Sequence, residues 1–200
     1  MMRRTLAAMS LLLVAWVATS PAVAASSRWQ VKPGDGSRVE FVSKAPLESF
    51  TGRTRQVSGE CTFDSDHLAG DVALSVTVDM ASFDTGLSKR NQHMRENHLQ
   101  TDRFPQAFLR GGTIKAAAAS ALAVGGSVGV EFSGELDLHG VRRPVVVHLE
   151  LSRSTADVLS VKAEFPVRLS DYDIERPRML VMKLADEQQV RVDLTLERIP

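Results

Sequence analysis

The chain has 200 residues, of which 24 are basic and 24 are acidic, and 44% of its residues are hydrophobic. This length suits one domain with one hydrophobic core. The balanced charge lacks the basic excess that marks a nucleic-acid-binding protein, so we expect no nucleic-acid partner.

The chain begins with a segment that is typical of a secretory signal peptide. Arg3 and Arg4 are followed by a short apolar run and then by Ala22-Val23-Ala24. A charged start, an apolar stretch and an A-x-A ending are the three features of such a signal. The apolar run is shorter than the roughly 20 residues that a membrane-spanning helix needs. We therefore predict a cleaved signal peptide over residues 1–24 and an exported domain over residues 25–200.

A single cysteine, Cys61, excludes an internal disulfide. In the stretch VSGECTFD it alternates in step with Val57 and Phe63, so we predict a small, buried, apolar side chain. A reactive thiol or an intermolecular disulfide remains the alternative.

Hydrophobic and polar residues alternate along most of the chain, which is typical of β-strands with one buried face. In DVALSVTVDM, for example, every second residue from Val72 to Met80 is apolar. The pattern recurs in RVEFVS, VSGECTFD, SVGVEFSGELDL, HGVRRPVVVHLELS, SVKAEFPVRLS and QVRVDLTLER, and more weakly in FPQAFLRGGTIK. We predict about eight antiparallel strands. A sandwich and a closed barrel both fit, and the length of the strands favours a tilted barrel.

One segment, SKRNQHMRENHLQ, has no alternation, no β-branched residue, no glycine and no proline. It is rich in helix-forming residues, so we predict a short surface helix over one end of the sheet. We expect Asp84 or Thr85 to cap its start and Gly86 to supply an unusual backbone angle. Phe104-Pro105 is expected to end it, because the residue before a proline is disfavoured in helical geometry.

Asp84-Thr85-Gly86 is also the tripeptide signature of the aspartic proteases. Those enzymes bring two carboxylates together, and the tripeptide occurs once in this chain. Its neighbours, Ser82-Phe83 and Leu87, also differ from those of a protease. We therefore interpret the tripeptide as a corner between a strand and a helix.

No other motif indicates catalysis or a metal. His93 and His98 are five residues apart, which places them about 140° apart around an α-helix, and no third ligand is evident. The chain has no G-x-S-x-G, no phosphate-binding glycine loop and no C-x-x-C. We predict a protein that is not an enzyme and has no cofactor and no metal.

Four windows of the sequence carry a combined signature. They are VEFVSKAPLESFTGRTRQVSGECTFD, FDTGLSKRNQHMRENHLQTDRFPQAFL, GELDLHGVRRPVVV and VRLSDYDIERPRML. In this order and at this spacing, they together resemble the YceI-like family of polyisoprenoid-binding proteins. Three features depart from the family pattern: Asn91 stands where aspartate is usual, an early histidine is missing from FVSKAPLES, and the linker before the last strands is short.

The resemblance implies an all-β fold, an extended antiparallel eight-stranded lipocalin-like β-barrel with one short surface helix. It also implies a location in the periplasm and a non-catalytic binding or carrier function. The ligand would be a long isoprenoid lipid or quinone inside the barrel, and transient membrane contact and a homodimer are both compatible with that function. The alternative is an exported stress-related or interaction module whose barrel is solidly packed and holds no ligand.

The inward faces of the predicted strands supply the candidate ligand contacts, although the same alternation would also build a solid core. Phe104 and Phe108 are candidates for the mouth of the barrel, or they pack the helix onto it. Arg90, His93 and Arg95 are candidate contacts for a polar head group such as a pyrophosphate or a quinone carbonyl, although a charged helix is also a common solvated face. The candidate lining residues are Phe41, Val76, Val78, Met80, Phe132, Leu136, Val147, Leu149, Phe165, Val167, Val192 and Leu194.

Overall fold

The computed structural model of the protein describes residues 26–32, 34, 36–44, 49–179 and 182–200, with the backbone alone at 178–179 and 182–183. The predicted signal peptide, residues 1–24, lies outside the described residues. Within the described ranges, no helix has the length and apolar character needed to cross a membrane.

Strands dominate the described part of the chain. They are β1 (Ser27–Val31), β2 (Arg38–Lys44), β3 (Ser49–Thr54), β4 (Val57–Phe63), β5 (Gly70–Asp71), β6 (Ala73–Asp79), β7 (Gln106–Ala117), β8 (Ser127–Leu138), β9 (Val141–Arg153), β10 (Val158–Arg168), β11 (Arg178–Met179), β12 (Met182–Lys183) and β13 (Glu187–Ile199). The helical segments are α1 (Ser88–His93), a π-helical turn (Met94–His98) and two 3-10 turns (Met80–Ser82 and Leu169–Tyr172).

Eight strands form a closed antiparallel barrel in the order β1-β4-β6-β7-β8-β9-β10-β13, because β1 pairs with both β4 and β13. This confirms the predicted all-β fold and eight-stranded barrel. The strands that form the barrel differ from the predicted ones in two ways. The strand β1 was not predicted, and the predicted strand RVEFVS is β2, which is not one of the eight barrel strands. Trp29 and Val31 do alternate with Arg28 and Gln30, so a weak signal for β1 was present.

The β2–β3 hairpin extends the wall at one end of the barrel. The first half of β13 pairs with β2 and its last residues pair with β1. The other edge of the hairpin meets the chain again at Asp84, where two backbone hydrogen bonds of 2.9 Å join Arg53 and Asp84. The Asp84-Thr85-Gly86 corner thus completes the wall at this end, which is a structural role.

The end of the barrel opposite this corner is filled by apolar side chains. Trp29 on β1 is fully buried and stacks on Phe63 with ring centroids 6.3 Å apart. Leu68 and Leu122, from the loops that follow β4 and β7, are almost as deeply buried. Backbone hydrogen bonds of 2.7 and 2.8 Å join these two loops. Each such buried side chain contributes about 1.5–3 kcal/mol of hydrophobic stabilisation.

The helix α1 lies over the other end of the barrel. It has six residues and continues as a π-helical turn, in which Leu99 N donates to Met94 O over 2.8 Å, five residues back. The prediction that Phe104-Pro105 ends the helix is wrong. The helical backbone ends at Leu99, and the chain turns away at Gln100, whose φ is 44°.

Candidate functional site

The barrel encloses a cavity of about 920 Å³. Val76 and Val78 on β6 and Leu149 on β9 face inward yet are only partly buried, because they border free space. Binding pockets for small molecules typically measure about 300–1,000 Å³, so this volume is in the range of a ligand site. The solidly packed barrel that we considered as the alternative does not agree with this cavity.

Most of the predicted lining residues border the cavity. Phe104 is the exception: it packs on His139 in the β8–β9 turn, with ring centroids 4.3 Å apart. Phe104 therefore holds a loop in place at the helix end of the barrel. The predicted residues that do border the cavity are Phe41, Val76, Val78, Met80, Phe108, Phe132, Leu136, Val147, Leu149, Phe165, Val167, Val192 and Leu194.

The cavity also borders residues that were not among the candidates. Leu74, Val161 and Val190 lie on the same alternating strand faces, so a stricter use of the two-residue period would have included them. Phe50 on β3 and Phe83 in the corner before α1 also border it, and no alternation in their segments signalled this.

Cys61 borders the cavity near its filled end and is buried, as predicted. Burial raises the pKa of its thiol to about 12. The thiolate is the reactive form of cysteine, so this side chain is unreactive at neutral pH and acts as a small apolar residue.

The mouth of the cavity is at the start of α1. Among the described residues that border the cavity, only Leu87, Ser88, Lys89 and His93 are exposed to solvent. We call these four residues the mouth surface. Since the opposite end of the barrel is filled, the mouth surface marks the place where a ligand meets solvent.

The corner before α1 is held by an amide side chain and not by the predicted helix cap. Leu87 occupies the cap position and makes no side-chain cap. Instead, Asn91 reaches back from the first turn, and its Oδ1 accepts hydrogen bonds from Thr85 N at 2.8 Å and Thr85 Oγ1 at 2.6 Å. The prediction that Asp84 or Thr85 caps the helix is therefore wrong, although both take part in fixing its start.

Asp84 is a structural carboxylate in this corner. Asn91 Nδ2 donates to its Oδ1 over 2.7 Å, and Gly86 N donates to the same oxygen over 2.8 Å. These hydrogen bonds, the one from Asn91 first, lower the pKa of Asp84 below its usual value. The φ of Gly86 is 83°, which confirms the predicted unusual backbone angle.

The two arginines proposed for a head group have structural contacts. Arg90 borders the cavity, donates from Nε to Thr85 Oγ1 over 2.9 Å and places its guanidinium 4.1 Å from the centre of the Phe50 ring. Arg90 therefore packs α1 against β3. Arg95 does not border the cavity and donates to the carbonyl oxygen of Phe83 over 3.1 Å.

The histidines form a pair at the helix end of the cavity. The π-helical turn brings the ring centroids of His93 and His98 to 5.0 Å from each other, whereas an α-helix would have separated them. His93 is exposed at the mouth and His98 is buried beneath it. The ranges that the structure describes contain no group of three or more His, Cys, Asp or Glu that could hold a metal ion.

His98 was not among the candidates, and it is the most unusual polar residue of the cavity. Its Nδ1 lies 2.9 Å from the main-chain oxygen of Glu175, and because a carbonyl can only accept, Nδ1 carries a proton and donates it. Its Nε2 is buried and has no hydrogen-bond partner among the described residues. Burial lowers the pKa of His98, so the ring is neutral at neutral pH.

Solved structures of similar proteins have the same fold. A polyisoprenoid binding domain from Saccharophagus degradans is 24% identical, with a TM-score of 0.68, and the match covers 86% of this chain and 98% of that domain. BcnA from Burkholderia cenocepacia is 23% identical, with a TM-score of 0.64, over 80% of this chain and 95% of that protein.

A curated relative gives a shorter match. Protein YceI from Shigella flexneri is 28% identical over 130 residues, which are 62% of this chain and 63% of the relative. The match therefore spans less than two thirds of the length of that relative. The YceI-like domain itself matches residues 29–196, nearly the whole barrel, and this chain belongs to the YceI-like family.

Proposed function

We propose that this protein is a non-catalytic carrier that holds the tail of a long isoprenoid lipid or quinone inside its barrel. The observation that carries this proposal is the cavity of about 920 Å³, which is lined mainly by apolar side chains, filled at one end and exposed at the other. The similar domain from Saccharophagus degradans is a polyisoprenoid binding domain, which supports the same class of ligand.

The size of the cavity sets the length of tail that it holds. One water molecule occupies about 30 Å³ in the liquid, and at that volume per non-hydrogen atom the cavity holds about 30 atoms, or about six isoprene units. Each buried methylene contributes about 0.8 kcal/mol, so every unit that enters adds to the affinity. A longer tail leaves its remainder outside the mouth surface.

The polar end of the ligand belongs at the mouth surface in this proposal. Of the three head-group candidates, Arg90, His93 and Arg95, His93 is the one that is both exposed to solvent and beside the cavity. Arg90 contributes positive charge there while it holds α1 in place. The periplasmic location rests on the signal-like sequence of residues 1–24.

Lipid analysis of the native protein tests this function. The protein is purified from its own host without detergent, extracted with organic solvent and analysed by mass spectrometry. We expect a prenyl lipid at close to one molecule per barrel. The affinity of the emptied protein for prenyl lipids should rise with tail length until the tail fills the cavity, and then level off. A barrel that is empty as isolated and that takes up no prenyl lipid contradicts the proposal.

A further inference from the structure

The mouth surface combines an exposed apolar side chain with an exposed cation. Leu87 is 56% exposed and borders the cavity. The other large hydrophobic residues that are highly exposed in the described ranges, Val124 and Val146, lie away from the cavity. Val124 is in the loop between β7 and β8 at the filled end, and Val146 is on the outer face of β9. Of the large apolar residues that the structure describes, Leu87 is therefore the one that is both highly exposed and located at the mouth.

The charge around the mouth surface is positive although the net charge of the chain is zero. Residues 84–99 contain three cations, Lys89, Arg90 and Arg95, and two acidic residues, Asp84 and Glu96. The Glu96 carboxylate accepts a hydrogen bond from Gln92 over 3.0 Å. Asp84 accepts hydrogen bonds from Asn91 and Gly86 in the corner behind the helix start. Lys89 is therefore the cation that the mouth surface presents to solvent.

We propose that the mouth surface docks on the surface of a lipid bilayer that carries anionic phospholipids. Leu87 enters the interface between head groups and acyl chains, and Lys89 contacts lipid phosphates. An apolar residue beside basic residues is the combination that binds peripheral proteins to such a surface. This inference rests on the proposed function, because a bilayer is where a long isoprenoid lipid resides and a docked mouth lets the tail transfer without crossing water.

Vesicle binding tests the docking surface. Residues 25–200, which contain the whole barrel, are emptied of lipid and mixed with sedimenting vesicles of phosphatidylcholine with or without phosphatidylglycerol. We expect binding to the anionic vesicles, weaker binding to the neutral ones, and a loss of the difference at high salt. Equal binding to both kinds of vesicle, or binding to neither, overturns the proposal, and in the second case the mouth surface suits a protein partner instead.

Two variants locate the binding. Lys89→Glu is expected to weaken binding to anionic vesicles by about fivefold or more, the factor that one lost cation at a membrane surface corresponds to. Leu87→Asp is expected to weaken it similarly, and it should fold normally because aspartate is favourable at the cap position that Leu87 occupies.

Matched controls place the same changes on the outer wall. Lys162→Glu reverses an exposed cation on β10, and Val146→Asp removes an apolar residue that is 53% exposed on β9. Both controls should bind anionic vesicles like the unchanged protein, and equal losses in controls and mouth variants contradict a docking surface at Leu87 and Lys89. Uptake of prenyl lipid by the unchanged protein is measured separately, so failure of uptake with vesicle binding intact refutes the carrier function and leaves the docking surface standing.

Discussion

Asn91 connects the start of α1 to the corner at Asp84 and Thr85 through three hydrogen bonds. Thr85 is buried, so removal of the amide would leave its backbone N–H without a partner. Replacement of Asn91 by alanine should therefore lower the free energy of unfolding by about 2 kcal/mol, measured by urea denaturation. Gln92→Ala, one residue along on the exposed side of the helix, is the control and should stay within about 0.5 kcal/mol of the unchanged protein.

A substitution at Leu149 tests whether the ligand binds inside the cavity. It borders free space on β9, so a larger side chain there fills volume without displacing protein atoms. Leu149→Trp should reduce the prenyl lipid that the emptied barrel takes up, with little change in the melting temperature. Val146→Trp, which puts the same side chain on the outer face of β9, should bind as before. Undiminished uptake by Leu149→Trp would place the lipid elsewhere.

At the scale of elements, His98 makes the segment that covers the barrel sensitive to acid. Burial lowers the pKa of His98 in the folded protein, and the second cause that disfavours its charge is the neighbouring His93. Histidine in the unfolded chain has a pKa of about 6.5, so well above that pH the side chain is neutral in both the folded and the unfolded state. Below it the unfolded state takes up a proton that the folded state resists, and stability falls until the pH passes the lowered pKa of the folded state.

The pH dependence is measured by urea unfolding at about pH 7.5 and about pH 5.5, values on either side of the unfolded pKa. The unchanged protein should lose stability at the lower pH. His98→Asn keeps a donor for the Glu175 carbonyl and cannot be protonated, so it should lose less. His148→Asn, at an exposed position on β9, should behave like the unchanged protein. If His98→Asn loses as much stability at the lower pH as the unchanged protein, then groups other than His98 cause the acid sensitivity.

The elements differ in how far the sequence predicted them. Strands such as β6 and β8 were predicted because a strand with one buried face alternates apolar and polar residues along the sequence. The same pattern also identified side chains that border the cavity, since nearly all of the predicted lining residues do so. The π-helical turn was missed because one extra residue between Leu99 and Met94 has no local sequence signature. The close pair of His93 and His98 follows from that turn, so the pair was missed with it.

At the scale of the whole molecule, free volume was the property that the sequence left open. Alternation at Val76 or Leu149 predicts an inward side chain, and it is the same for a solid core and for a hollow one. The difference depends on the diameter of the closed barrel, and this depends on which strands join its ends. The barrel closes through β1, a strand of five residues that was not predicted.

Closure through β1 can be tested without touching the cavity. Gln30 pairs with Glu60 on β4 and with Glu197 on β13, and its own side chain points to solvent. Gln30→Pro removes a donor from these ladders, and proline is excluded from the interior of a sheet. We expect a clearly lower urea midpoint and a tendency to aggregate, because the unpaired edges of β4 and β13 become templates for other chains. The control Gln30→Ala keeps the backbone N–H donor, so it should unfold at nearly the same urea midpoint as the unchanged protein. Equal midpoints for the proline and alanine variants would show that β1 does not close the barrel.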